Sequence, residues 1–500
     1  MTADTDRNRW LALYVLCTGV LMIVLDATVV NVALPSIKND LDFTQNNLAW
    51  VVNAYLIAFG GLLLLAGRLG DLLGHRRVFL AGLGVFTAAS LLCALAQSQE
   101  MLIAARFVQG AGGAAASAVT LGMIVMMFPE PREQAKAIGV FGFVASAGGS
   151  IGLLAGGVLT DLINWHWIFF VNVPIGIVTA LLAVRLVESR PGIGIREGAD
   201  APGAVLVTAG LMLTVYTILG VEEHGWTSAQ TLILAAASIA LVAIFVLRQA
   251  RIEKPLMPLR LFHSRNVSGA NIVMALLVVG MFGLFFLGAL YLQLVLGYSP
   301  LEVGLAFLPG SLLMGALSLG FTDRINMRFG PRRVLIAGLS FLLVAMLLFA
   351  RVPVDGNYIV DVLPTMIIFG AGAGVAFPAL MMLAMSGATP SDAGLASGLV
   401  NTTGQVGGAV GLALLATIST EHTKTLLEDG DSTAAALTGG YHVAFLIGAL
   451  CAVTAIVAAV TVLREQSLAG AMADAHGHDE PGMAEVANAP TGPAYDTANV

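Results

Sequence analysis

The chain has 500 residues, of which 57% are hydrophobic and only 11% charged, with a formal net charge of −7 and a mean hydropathy of +0.87. A soluble domain is about a quarter charged, so the composition excludes an ordinary soluble enzyme. The negative total sits partly in the C-terminal tail and marks no binding face, and no nucleic-acid partner is expected.

The apolar residues come in blocks long enough for a helix to cross about 30 Å of hydrocarbon. Fourteen spans are predicted: 10–34, 47–67, 78–97, 101–127, 137–159, 166–187, 203–220, 230–247, 270–294, 301–321, 334–351, 359–383, 396–418 and 441–463. The N-terminus "MTADTDRNRW" is polar and the first apolar run has no small-residue cleavage site, so no cleaved signal peptide is expected. Within that run, "GVLMIVLDATVVNVALP" places Asp26 near mid-span, where a carboxylate costs at least a few kcal/mol and is functional by default. The second span ends in "GRLGDLLGHRR" (67–77). The fourth carries Arg106 and Gln109. The fifth carries Gly139, Gly148, Gly152, Gly156 and Gly157, and the last steps put glycines on one face where another helix can approach closely. The sixth opens with "WHWIFFVNVPIG" (165–176); His166 there, near Asp161, is either a pH-sensitive group or part of a capped helix start. Cys17, Cys93 and Cys451 lie inside apolar blocks as small hydrophobes, with no disulfide or metal spacing. From Arg464 the composition turns to Ala, Gly, Pro, Asp and His, an expected disordered tail over 464–500 in which His476 and His478 are not expected to bind metal.

Lys and Arg set the orientation. With the N-terminus inside, 20 of the 24 basic residues fall on inner segments, three outside (Lys38, Arg351 and Lys424) and one, Arg106, within a span. Both termini are therefore expected to be cytoplasmic. A missed or extra span midway would put the later basic loops outside.

The chain also repeats. "GRLGDLLGHRR" is echoed 256 residues on by "DRINMRFGPRR" (323–333), and "VQGAGGAAASAV" (108–119) by "IFGAGAGVAFPA" (368–379). Two related halves are expected in secondary transporters, with the substrate site between them near the midplane. This gives an N-terminal six-helix half (10–187), two inserted helices (203–247) and a C-terminal six-helix half (266–463). The offset that pairs Gly74 with Gly330 leads from Asp26 to Phe282 and from Asp71 to Met327, and Arg106 has no counterpart. Buried charge belongs to the first half, and ion chemistry with it.

These segments resemble the major facilitator superfamily, and within it the fourteen-helix drug–proton antiporters. "LDATVVNVALP" (25–35) is similar to that group's first-helix signature, "GRLGDLLGHRR" to the superfamily's loop between helices two and three, "RFVQGAGGA" (106–114) to the fourth-helix Arg motif, and "GSIGLLAGG" (149–157) to the antiporter motif. "WHWIFFVNVPIG" is also typical of the group. The resemblance covers about residues 10–463. It implies an all-α polytopic membrane protein of the major facilitator fold. It implies a cytoplasmic gate at Gly67, Asp71, Gly74, Arg76 and Arg77, with Asp71 paired to a basic residue and the start of a neighbouring helix. It also implies that the face of Gly148, Gly152, Gly156 and Gly157 packs against the other half. The usual Pro after the third of the helix-five glycines is Leu153 here, which removes a preset kink.

Asp26 lies about 12 Å below the outer end of its helix and Arg106 about 8 Å, at 1.5 Å per residue. Long side chains at such depths can meet, either as a structural pair or as a proton-coupling site. Asn53, Tyr55, Gln109, Tyr291, Gln293 and Asn401 are candidates to line a substrate cavity, with Met and Phe as its adaptable apolar wall. No Gly-rich phosphate loop, zinc spacing or soluble output domain is present, so neither an enzyme nor a sensor is expected, and no cofactor or metal. The expected function is a proton-driven exporter of amphipathic drugs or antibiotics in the cell membrane, acting as a monomer. The alternative is an exporter of another metabolite such as an amino acid, a siderophore or a sugar-like compound.

Overall fold

Polar breaks with capping side chains cut the apolar blocks into helices. Thr44, Ser98, Ser228, Ser299 and Ser432 each accept a backbone N–H three residues on, satisfying a donor that the first helical turn leaves open. Gly74 and Gly330 take φ of +97° and +83°, a conformation that glycine adopts without a steric penalty, and let one helix end and the next begin at once. The computed structural model describes residues 3–128, 130–189, 191–194, 200–253, 255–388 and 393–464. The tail beyond 464, with His476 and His478, lies outside the described residues.

Among the described residues there are only helices and their connections. The first group is α1 (Ala3–Asp40), α2 (Gln45–Leu73), α3 (His75–Ala94), α4 (Gln99–Met127), α5 (Pro131–Leu162), the short α6 (His166–Phe170) and α7 (Asn172–Leu186). Then come α8 (Ala201–Leu219), α9 (Val221–His224) and α10 (Ala229–Gln249). The last group is α11 (Arg265–Leu290), α12 (Pro300–Gly320), α13 (Thr322–Phe329), α14 (Pro331–Phe349), α15 (Leu363–Ser386), α16 (Ala393–Glu428) and α17 (Thr433–Thr461). Thirteen helical segments among the described residues are long and apolar enough to cross a membrane. The other predicted span, 137–159, falls in α5, which has 32 residues but, among those described, only a shorter apolar stretch over Ile151–Leu162. Fourteen spans were expected, and the described residues give thirteen. Helix α16 runs ten residues past its predicted end at 418 because "STEHTKTLLE" is polar yet helix-compatible.

The sequence echoes are echoes of packing. A methyl group at Gly112 would lie 2.8 Å from Gly82 O, and one at Gly372 would lie 2.8 Å from Gly338 O. The first pair joins α4 to α3, and the second joins α15 to α14. Gly110 presses on Tyr55 O of α2, and Gly370 on Gly310 O of α12. Arg76 Nη2 donates to Val184 O in the last turn of α7, and Arg332 donates to Ala459 O (3.1 Å) and Val460 O in the last turn of α17. In each case a cation meets the open carbonyls at a helix C-terminus, where the macrodipole favours it.

The inserted pair lies along the seam between α2 and α16. Gly61 of α2 accommodates Thr208 of α8. Thr417 Oγ1 donates to Ile218 O at 3.1 Å, and Trp226 Nε1 donates to Glu421 at 3.1 Å. The pair is clipped at its other end by Asp200, which accepts from Gly203 N (2.9 Å), Arg248 Nε (2.7 Å) and Gln249 Nε2 (2.7 Å).

Candidate functional site

The charges predicted to meet do meet. Asp26 Oδ2 accepts from Arg106 Nη1 in an ion pair whose residues are 1% and 0% exposed. The carboxylate is held by two further donors, both on Oδ1: Gln109 Nε2 at 2.7 Å and Asn172 Nδ2 at 2.9 Å. Arg106 also donates from Nε to Val51 O (2.9 Å) and from Nη1 to Gln109 Oε1 (2.6 Å). Its guanidinium lies 4.4 Å from the Tyr55 ring centroid and 5.5 Å from that of Phe169. Gln109 Nε2 donates to Ser90 Oγ at 2.8 Å, and Ser90 Oγ in turn to Phe86 O at 2.8 Å. The network thus draws on α1, α2, α3, α4, α6 and α7. Removing one partner of such a buried pair costs about 3–5 kcal/mol, because the other charge is left uncompensated.

Each element has a reason to be there. Helix α4 reaches α2 and α3 closely through Gly110 and Gly112, which brings Arg106 and Gln109, one turn apart, under α1. Helix α5 holds α1 on its other side. A methyl group at Gly148 would lie 3.0 Å from Val24 Cγ1, and one at Gly156 would lie 2.8 Å from Val29 O; Gly152 rests on Thr28 and Leu25. This corrects the expectation for the glycine face. Gly148, Gly152 and Gly156 recur every four residues and therefore share one face, which packs on α1 of their own group. Gly157, about 100° round the helix, alone of the four meets the other group, with a methyl there 2.8 Å from Leu301 Cα and Pro300 O. Leu153, where the resembled antiporter motif would have Pro, supports the same contact: its carbonyl lies 2.6 Å from a methyl at Gly304. Thr28 does not reach Asp26 and donates to Val24 O and Leu25 O of its own helix.

Sequence reasoning missed Asn172 and Ser90. Asn172 lies in "WHWIFFVNVPIG", and the structure accounts for that stretch. Trp165 Nε1 donates to Asp40 Oδ2 at 2.9 Å and ties the stretch to the end of α1. Phe169, four residues on, lies under Arg106, and Asn172, three further, reaches Asp26. An Asn within an apolar run was the available signal.

The gate residues divide. Asp71 is exposed, with its Oδ1 3.6 Å from His75 Nε2 at the start of α3; no Arg pairs with it among the described residues. Arg76 caps α7, as above, and Arg77 is exposed. Gly74 makes the turn, while a methyl at Gly67 would touch nothing within 4 Å. The backbone of the segment after α7 lies on this loop, with Ile193 N donating to Asp71 O (3.0 Å) and Gly194 N to Leu72 O (3.1 Å).

The substrate candidates are not gathered in one cavity. Gln109 belongs to the charge network. Tyr291 is buried and donates to Pro353 O at 2.6 Å, and Gln293 donates across the groups to Val32 O at 2.9 Å. Asn401 is exposed. The Asn53 amide and the Tyr55 hydroxyl are buried without a hydrogen-bond partner among the described residues, so both keep unused polar capacity, Tyr55 with its ring against Arg106. A cleft of about 220 Å³ lies elsewhere, between the start of α2 and the α8–α10 pair, lined by Thr44, Asn47, Trp50, Tyr216 and His224 among others.

A repeated helical membrane bundle with a sealed ion pair in one half defines a membrane transporter. The model of the Major Facilitator Superfamily matches residues 16–412, and the chain belongs to that family. It is 38% identical over 467 residues to the puromycin resistance protein pur8 of Streptomyces alboniger, covering 91% of this chain and 92% of the relative. It is 40% identical over 412 residues to the cephamycin export protein CmcT of Amycolatopsis lactamdurans, covering 82% and 84%. Among solved structures, a bacterial homologue of the human lysosomal transporter Spinster, inward-facing and unoccupied, aligns with a TM-score of 0.64 at 16% identity, covering 92% of this chain and 99% of that one. That likeness is one of fold.

Proposed function

We propose that the chain is a proton-coupled exporter of amphipathic antibiotics or drugs, acting as a monomer by alternating access in the cytoplasmic membrane. The basic end of the bundle, with both termini, faces the cytoplasm, a reading supported by the 20-to-3 distribution of Lys and Arg. The observation that carries the coupling is Asp26. Among the described residues its carboxylate is the one acidic side chain fully enclosed within the first group of helices, and it holds a cation and two amides. Proton uptake weakens its claim on Arg106, and proton release restores it. No cofactor enters; the drive is the proton gradient. One proton entering through about 100 mV and one pH unit releases about 3.7 kcal/mol, which supports a gradient of a neutral drug of about 400-fold at 1.4 kcal/mol per decade. The relatives named for puromycin resistance and cephamycin export support the substrate class. Asn53 and Tyr55 are the substrate contacts, since their polar atoms await a partner.

The test is proton counterflow. In proteoliposomes loaded with a pH dye, an imposed drug gradient is expected to drive protons the other way in the parent protein. In Asp26→Asn it is expected to drive none, while drug binding persists. Equal counterflow in the two would remove Asp26 from the coupling.

A further inference from the structure

Three donors surround the Asp26 carboxylate, and they differ in what they can do when it takes a proton. A carboxylate only accepts hydrogen bonds; a carboxylic acid must also donate one. Arg106 has five N–H groups and no acceptor, so it cannot receive the new O–H. Gln109 has an acceptor, but its Oε1 is already held by Arg106 Nη1 at 2.6 Å, and its Nε2 donates to Ser90 at 2.8 Å as well as to Asp26. Turning that amide over would set its NH₂ against the guanidinium, donor against donor. Asn172 is under no such constraint. Its Nδ2 donates to Asp26 Oδ1 at 2.9 Å, and its own carbonyl makes no hydrogen bond among the described residues. It opens α7, just after the break at Val171.

We propose that Asn172 is the positioning residue that accommodates the Asp26 proton: its side-chain amide donates to the carboxylate and, turned over, accepts from the carboxylic acid. The step balances simply. A hydronium ion gives a proton to Asp26 Oδ1 and leaves as water, the amide rotates by half a turn, and the new O–H donates to Asn172 Oδ1. Gln109 keeps its bond to Oδ1, and Arg106 keeps its bond to Oδ2. This inference rests on Asp26 being the coupling group. The other charged or titratable groups that face Asp26 are Arg106, the Tyr55 phenol of α2 and the Cys93 thiol of α3. The remaining elements packed on α1 carry theirs away from mid-span. Glu133, Lys136 and Asp161 are near the ends of α5, His166 is stacked on Trp165, and Arg185 is in the last turn of α7. Arg68 and Asp71 are near the end of α2, Arg265 starts α11 and Glu302 is in the first turn of α12.

The experiment is an infrared pH titration of the purified full-length protein with ¹³C-labelled asparagine. Asp26 is identified as the carboxylic-acid band that Asp26→Asn removes. The protonated-minus-deprotonated difference spectrum is expected to contain an isotope-shifted asparagine carbonyl band that disappears in Asn172→Leu. The Asp26 midpoint in Asn172→Leu is expected to stay within about half a pH unit of the parent, because both protonation states lose a partner. A fixed donor would instead stabilise only the carboxylate, and at about 1.5–3 kcal/mol for a bond to a charged group its loss would raise the midpoint by a unit or more. That rise, or the absence of any asparagine band in the parent, overturns the proposal. Asn172→Ser, which keeps both a donor and an acceptor, is expected to retain the parent midpoint and serves if the Leu variant does not fold; a unit shift there also overturns it. If Asp26→Asn removes no titrating band, it is the coupling role of Asp26 that fails instead.

Discussion

Asp26 shows how much one side chain in an apolar helix demands of its neighbours. An ion pair out of water is stable only where further hydrogen bonds occupy the remaining lone pairs and protons. Here three residues supply donors to the carboxylate, and a backbone carbonyl and two aromatic faces surround the guanidinium. That arrangement requires α1 to sit at a fixed height and distance from α4, and the glycines of α5 set it from the other side. Gly156→Ala would place a methyl 2.7 Å from Val29 Cγ2 and 2.8 Å from Val29 O, and a backbone carbonyl cannot move aside like a side chain. Overpacking of this kind costs about 1–3 kcal/mol. Gly156→Ala is expected to lower the thermal unfolding midpoint in detergent and to impair counterflow. Gly149→Ala, where a methyl meets nothing within 4 Å, is expected to behave as the parent does. Equal midpoints for the two variants would mean that the α1–α5 contact is looser than the structure has it. At this scale the sequence was partly legible. Two opposite charges at similar depth announced their own pairing, since each is costly alone. Asn172 did not announce itself, because a neutral amide carries no comparable penalty and its aim depends on the break at Val171.

Among the elements, the inserted hairpin of α8 and α10 is held at one end by a polar clip on Asp200. Burial of Asp200 pushes its carboxyl up, but hydrogen bonds from Arg248, Gln249 and Gly203 N outweigh this and hold it below the usual carboxylate range. A carboxyl depressed in the folded state stabilises fully above its unfolded value, about 3.9, and the contribution is lost as pH falls from there through the lower folded value. Arg248 is more than a third exposed, so screening reduces its share, and the clip is worth about 1–2 kcal/mol at neutral pH. Asp200→Asn is expected to lower the unfolding midpoint by a constant amount between pH 8 and pH 5, with the gap closing below about pH 4. A gap that stays constant into acid would show that the charge on Asp200 contributes nothing. Most helices were legible from apolar blocks and polar breaks, and Gly74 with Gly330 marked the repeat because both turns need positive φ. What each helix touches was not legible. The four-residue glycine spacing defines a face without saying which neighbour it meets, and Arg76 read as a gate residue until α7 was seen to end beside it.

For the whole molecule, the two groups of helices are tightly joined at the end opposite the basic loops. Gly157 rests on Pro300 and Leu301, Leu153 O faces Gly304, and Gln293 donates to Val32 O. All lie towards the C-terminal ends of α1 and α5, just past the end of α11, or at the start of α12. Alternating access requires this joint to open while another closes, and the balance between such states is a matter of a few kcal/mol. Gly157 is where it is most sensitive, because three backbone atoms of α12 lie against it. Gly157→Leu disfavours the joined state by the overpacking cost of about 1–3 kcal/mol, which shifts the equilibrium by roughly five- to 150-fold at 1.4 kcal/mol per decade. Spin labels at the exposed residues Leu162 and Val360, at this end in the first and last groups, are expected to give one short distance in the parent. In Gly157→Leu they are expected to show a second, longer component, with transport slowed and folding retained. A distance distribution unmoved by the substitution would mean that the joint is not the element that opens, and that the close α5–α12 contact serves packing alone.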